Sequence, residues 1–216
     1  MELNETLTCR TELPGWRLYF AGLQLTDTFD PERLAGRLAA AQAELRQRLG
    51  GSEAASAPEF ESLRELFRAA GTNPSRYRPS SEALARRVLK GDALPRIQPL
   101  VDFNNLLSLR TLCPCCVMAP EAVTPPLLLR RGKAGESVQG LRAAMDLEGK
   151  PVLEDARGPF GTPITDDHRV ILAPAHRRAL LVVYQPAALA WDAGRAVRDE
   201  AAAAGQILVG PEWIFG

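Results

Sequence analysis

The hydrophobic pattern of this chain changes period once, and that change limits the folds open to it. Between residues 31 and 112 apolar side chains recur at three- and four-residue steps; beyond 126 they come in short runs broken by Gly and Pro. A single strand-like run, Trp16 to Thr26 (WRLYFAGLQLT), precedes the helical block. The order strand, helices, strands favours an α+β fold, with mixed sheets and helices packed against them, over a regular βαβ repeat.

Local signals set the element boundaries. Asp30-Pro31-Glu32 has the form of an N-cap, a first-turn proline and a first-turn acid, and opens a helix ending at Gly50-Gly51. Its Leu34, Leu38, Ala41 and Leu45 make one apolar stripe. After a small-residue linker (GGSEAASAP), Glu59 to Ala70 repeats the pattern with Phe60, Leu63, Leu66 and Phe67. A third helix starts at Pro79-Ser80, with Ser80 suited to the N-cap, and ends at Lys90-Gly91; a fourth covers Val101 to Leu112. Strands are expected at Leu127 to Arg130, Pro151 to Asp155, Arg169 to Ala173 and Arg178 to Tyr184. A last helix at about Pro186 to Ala204 should lead into a strand at Ile207 to Val209. The Trp213 to Phe215 tail could pack internally or on a partner.

Composition narrows the function classes. With 26 basic and 26 acidic residues the chain carries no net charge, so a nucleic-acid partner would have to be held by a local patch. Such a patch exists in sequence: from Arg64 to Arg142 basic residues outnumber acidic ones thirteen to six. No apolar run approaches the roughly 20 residues of a membrane span. The first ten residues carry Glu2 and Glu5 and lack the basic-then-apolar order of a secretory signal, so a cytoplasmic location is expected. Cys113, Cys115 and Cys116 are too crowded to staple distant elements, and with Cys9 they offer no paired zinc knuckles, so buried free thiols are expected.

The most informative stretch reads NPSRYRPSSEALARRVLKG over 73–91 and LPRIQPLVDFNNLLSLR over 94–110. Together these closely resemble the B3/B4 domain of the phenylalanyl-tRNA synthetase beta chain, more particularly its free-standing bacterial relatives. A weaker echo continues through Leu127 to Arg130, Gly135-Glu136 and Glu154-Asp155. The resemblance implies one B3/B4-like domain over 1–216, with a core at about 18–184 and a helix-strand extension over 185–216. It also implies a tRNA-related role, because in the synthetase this domain hosts the site that hydrolyses wrongly attached amino acids from tRNA. It does not imply aminoacylation.

Hydrolysis of an aminoacyl ester needs a pocket for the amino acid, donors for the developing oxyanion and a placed water. Asn105, where the family keeps an Asn, Cys116 and Thr165 are the candidate catalytic residues. Candidate substrate contacts are Ser81, Glu82, Asp102, Asp155, Gly158 and Gly161, the glycines by letting backbone approach the substrate. Thr165, Asp166 and His168 offer further polar groups in the loop after Gly161. Ser80, Ser81, Glu82, Asp102 and Asn105 also have the spacing of local helix caps. Arg76, Tyr77, Arg78, Arg86, Arg87 and Lys90 combine charge with an aromatic ring and are the candidate RNA contacts.

The chain departs from the family where its pattern is most informative. Cys116 falls where the beta chain has His, Ala119 where it has Asp, and Ala173 where a strand often closes with an acid. A thiol at Cys116 would serve as nucleophile only with a lowered pKa. The leading expectation is an editing-like domain that binds aminoacyl-tRNA and hydrolyses mischarged species in trans. The alternative is a non-catalytic RNA- or amino-acid-binding module. No metal, other cofactor, membrane or DNA is expected, and no protein partner is identified.

Overall fold

A computed structural model of the protein describes residues 7–50, 57–141 and 143–216. The chain runs from β1 (Cys9–Thr11) and β2 (Trp16–Leu25) through α1 (Pro31–Leu49), α2 (Pro58–Ala70), α3 (Ser80–Leu89) and α4 (Pro99–Thr111). Strands β3 (Cys115–Met118), β4 (Leu127–Arg131), β5 (Ser137–Gln139), β6 (Ala144–Asp146), β7 (Pro151–Asp155) and β8 (Gly158–Gly161) follow. Then come β9 (Arg178–Pro186), α5 (Ala193–Ala204) and β10 (Ile207–Phe215), so the order is that of an α+β fold. The linker expected over 50–58 lies mostly outside the described residues.

Two four-stranded sheets form, ordered β1-β4-β7-β8 and β10-β2-β9-β3, beside a β5-β6 hairpin. The second sheet is antiparallel throughout, and in the first only β1 and β4 run parallel. Every residue of β9 from Ala179 to Pro186 is buried, as a central strand covered on both faces requires. Helices α2 and α4 contact β9, and α5 contacts β2 and β10. Trp16 meets Tyr184 edge-on at 6.3 Å and Phe67 at 6.2 Å, joining sheet to helix in the core.

The first helix forms as its sequence dictates: Asp30 accepts a hydrogen bond from the Glu32 N–H, and Leu34, Leu38, Ala41, Leu45 and Leu49 are buried. Elsewhere tertiary structure overrides local signals. Pro79, not Ser80, is the N-cap of α3, and the Ser80 N–H instead donates to the Pro163 carbonyl at 2.9 Å. The expected strand at 169–173 is a short 3₁₀ turn, His168–Val170, because Asp167 caps it by accepting from the Arg169 N–H. The last helix begins at Ala193 under an Asp192 cap, since Pro186 still belongs to β9. Its following strand runs to Phe215, pairs with β2 and sets Phe215 against Phe20 at 6.0 Å, so the aromatic tail packs internally. Cys115–Met118, which carries no strand signal in the sequence, is an edge strand on β9.

One buried carboxylate fixes the helical layer. Glu82, almost fully buried, receives Arg64 of α2 at 2.8 and 3.0 Å and Arg86 of α3 at 2.8 Å. Burial alone would raise its pKa, but the two guanidiniums outweigh this and hold the carboxyl below the usual range. Truncation would leave Arg64 facing an empty buried site. Glu82→Ala should therefore cost about 3–5 kcal/mol in urea unfolding; a loss within about 0.5 kcal/mol, as for an ordinary surface change, would show that α2 and α3 do not depend on this carboxylate.

Candidate functional site

Helices α3 and α4 each turn one stripe toward the same cleft. On α3 the stripe is Ser80, Ala83, Leu84 and Arg87; on α4 it is Asn104, Asn105 and Ser108, with Val101 one turn earlier. Both follow the i, i+3, i+4, i+7 spacing of one helical face. Cys115 and Cys116 of β3 also line the cleft, as does the 164–166 turn. Two adjoining cavities result: an inner one of about 220 Å³ and an outer one of about 310 Å³, sharing Ser80, Asn104, Cys115 and Ile164.

The turn is held rigidly. The Thr162 hydroxyl donates to the Thr165 carbonyl at 2.8 Å and accepts the Ile164 and Thr165 N–H groups at 3.0 and 2.9 Å. Gly161 bridges to Asp166 across it. A Cβ placed at Gly161 would stand 3.0 Å from Asp166 Oδ1 and 3.5 Å from Tyr184 Oη. The glycine thus makes room for the Asp166 side chain, rather than bringing backbone to a ligand as the sequence suggested.

The inner cavity is lined by apolar Val101, Val117, Leu141, Ile164, Ile171 and Leu172. Ser80, Asn104, Thr165 and Asp166 line it too, with Cys115 and Cys116. Ser80 Oγ, Asn104 Oδ1 and Asp166 Oδ1 are buried there without a hydrogen-bond partner. Buried polar atoms are paired in folded proteins with few exceptions, and three of the ten unpaired ones among the described residues gather on this cavity, where a bound water or ligand would complete them. Burial pushes the Asp166 carboxyl up to about 7; the Cys116 thiol draws it back down, and neighbouring Asp167 adds to the rise.

The sequence candidates divide around this cleft. Thr165 and Cys116 line the inner cavity and Asn105 the outer one, where Asn105 is half-buried and has no side-chain partner among the described residues. Cys116 is a wall residue and not an activated nucleophile: burial and then the Asp166 carboxylate raise its thiol well above the ordinary value. Ser81 and Glu82 are buried and line neither cavity, Glu82 being the clamp for Arg64 and Arg86. Asp102 accepts from the Ile97 N–H at 3.1 Å, a capping role. Asp155 pairs with Arg169 at 2.8 Å and accepts the Thr124 and Arg157 N–H groups, also away from the cleft. Gly158 itself has φ +108°, which favours glycine, and open space where a Cβ would stand.

Among the RNA candidates, Arg87 lines the outer cavity and is exposed, and exposed Lys90 follows one turn later; neither faces a carboxylate among the described residues. Arg86 is committed to Glu82, and Arg78 lies 4.0 Å from the same carboxylate. The Tyr77 ring already carries Lys150 Nζ at 4.1 Å and Arg76 at 5.2 Å from its centroid, so it is less free to stack a base than the sequence implied. Asn104 is the polar site residue that the sequence did not single out, and Asp166 was legible only as one of several polar groups in its loop. Ala119, buried, and Ala173, exposed, supply no polar group to either cavity. No group of three or more His, Cys, Asp or Glu among the described residues is arranged to hold a metal. No helix among them is long and apolar enough to cross a membrane.

Residues 62–172, which include α3, α4, β3 and the 161–166 turn, match the B3/4 domain family, and the chain belongs to that family. Among solved structures, an N-terminal fragment of the phenylalanyl-tRNA synthetase beta-subunit from Pyrococcus horikoshii matches with a TM-score of 0.46 and 12% identity. The match covers 98% of this chain and 51% of that one, so the chain spans about half the length of the fragment. No curated protein matches.

Two tests follow from the chemistry of the cleft. Asp166 binds its proton more tightly folded than unfolded, so its contribution to stability is lost as pH rises from about 4 to about 7. Asp166→Asn should raise Tm at pH 8 and flatten that slope in a thermal-melt series, whereas an unchanged slope would place the carboxyl in water. Iodoacetamide at pH 8 should modify Cys116 only as fast as the protein opens; rapid labelling of the native protein would mark an activated thiol.

Proposed function

We propose that this chain binds the aminoacyl end of tRNA in the cleft between α3, α4 and β3 and hydrolyses mischarged species in trans. The observation that supports this most is the pairing of cavities: one with apolar walls and orphaned polar atoms, adjoining one bordered by Asn105 and the free charge of Arg87. A ligand with a small side chain at one end and a phosphate backbone at the other matches that polarity. Membership in the B3/4 family, whose synthetase members carry an editing site by the resemblance set out above, points the same way.

The chemistry would rest on positioning. The Asn105 amide would donate to the ester carbonyl, where negative charge develops, and Ser80 and Thr165 would place water beside it. Neither His168 nor His176 lines these cavities. The neutral thiol of Cys116 and the apolar Ala119 favour a second reading, a module that keeps the pocket and binds without hydrolysis.

Deacylation of tRNAs charged with different amino acids tests the proposal. A rate above the protein-free control that falls about a hundredfold with Asn105→Ala is expected for an oxyanion donor. Arg87→Ala and Lys90→Ala should each weaken tRNA binding and lower the salt slope by about one. Salt-sensitive binding without hydrolysis would select the second reading, and absence of both would overturn the two together.

A further inference from the structure

The inner cavity has an electrostatic imbalance. Asp166 is a buried acid on a cavity whose wall, among the described residues, contains no Lys, Arg or His. Its Oδ1 has no hydrogen-bond partner, and neither have the neighbouring Asn104 Oδ1 and Ser80 Oγ. The groups facing Asp166 do not neutralise it. From β3 the neutral thiol of Cys116 offers the carboxylate one hydrogen bond but no charge, from β9 comes the Tyr184 hydroxyl, itself buried without a partner, and along the turn another acid, Asp167. Asp167 is occupied elsewhere, accepting the Gln139 and Arg169 N–H groups at 2.9 Å.

A ligand that completes this site must bring several donors and positive charge. A primary ammonium carries three N–H donors and no acceptor, which suits a carboxylate with an amide oxygen and a hydroxyl nearby. A phenol brings one donor and no charge, and so would leave an ionised Asp166 uncompensated. The rest of the wall is Val, Leu and Ile side chains with Cys115, Cys116 and Thr165, and no aromatic ring lines it among the described residues. At about 220 Å³ the cavity lies below the roughly 300–1,000 Å³ of drug-sized sites and suits a small branched group.

We infer that Asp166 anchors the protonated α-amino group of an aliphatic aminoacyl moiety, whose branched side chain lies against Val117, Ile164 and Ile171. This rests on the aminoacyl-tRNA reading for the ester and RNA part of the ligand, while the small-molecule contact can be tested without RNA. It names an aliphatic substrate class in place of an aromatic one and gives Asp166 the role of selecting for a free amine.

Calorimetric titration of the full chain at pH 7.5 uses L-leucinol, its amine-free analogue 4-methylpentan-1-ol, and L-tyrosinol. L-Leucinol should bind, with the amine-free compound weaker by about ten- to a hundredfold, the range of a charge-assisted hydrogen bond. Asp166→Asn should weaken L-leucinol to a similar degree without changing affinity for 4-methylpentan-1-ol, a pattern that misfolding would not produce. Ile171→Trp, which adds bulk to the wall, should weaken both. L-Tyrosinol binding as tightly as L-leucinol, an affinity indifferent to the amine or to Asp166→Asn, or no L-leucinol binding at all would overturn the inference. L-Leucinol binding with no binding of leucyl-tRNA would retain the amine site and remove the tRNA reading; leucyl-tRNA binding unaffected by Asp166→Asn would do the reverse.

Discussion

Glu82 is taken out of water at the first turn of α3. The desolvation is offset because Arg64 from α2 and Arg86 from one turn further along α3 converge on the same carboxylate. That arrangement sets the position of α3 relative to α2, whose apolar face is anchored in turn on the core by Phe60, Leu63 and Phe67. With α3 placed, the Ser80 N–H reaches the Pro163 carbonyl and holds the 161–166 turn against the helix start. The cleft is thus the consequence of one satisfied buried ion cluster and of one turn bonded around Thr162.

The same molecule leaves other buried polar atoms unsatisfied, and the contrast carries the functional argument. Where a buried charge has a structural task, as at Glu82 and Asp155, its partners are complete and close. Around the inner cavity they are missing at Ser80, Asn104 and Asp166, although these residues sit on well-packed elements. Natural folds accept that cost mainly where a ligand removes it. Asp166 stands on the inner cavity and Arg87 on the outer one, the order of charge that the proposed aminoacyl-tRNA ligand would require.

Much of the helical layer was legible because its signals are local. Asp30 and Pro31 set the start of α1, and the leucine spacing predicted its buried face. The family, too, was readable from the run over 73–110, which lies wholly within the matched residues 62–172. What sequence could not supply was pairing at a distance. Glu82 looked like a first-turn acid open to substrate because its partner Arg64 stands eighteen residues earlier. Cys115–Met118 did not read as a strand because four residues beside Pro114 are too short a run to show a period, and it pairs with β9 in the fold. Asn104 and Asn105 are adjacent, and the choice of which amide meets which cavity depends on how α4 is rotated against β3. Asp166 was visible only as one polar residue in a loop; its burial comes from Cys116, Gly161 and Tyr184, which three different strands bring together.

The most direct test of the account is where a ligand sits. Amide chemical shifts of the isotopically labelled protein, followed during titration with a non-hydrolysable amide-linked leucyl-adenosine, report this without relying on turnover. The account predicts perturbations concentrated at Ser80, Asn104, Asn105, Val117, Thr165 and Asp166, extending to Arg87. Perturbations confined to the opposite cavity around Gln24, Glu121 and His176 would contradict it, as would saturation with no change along the facing stripes of α3 and α4.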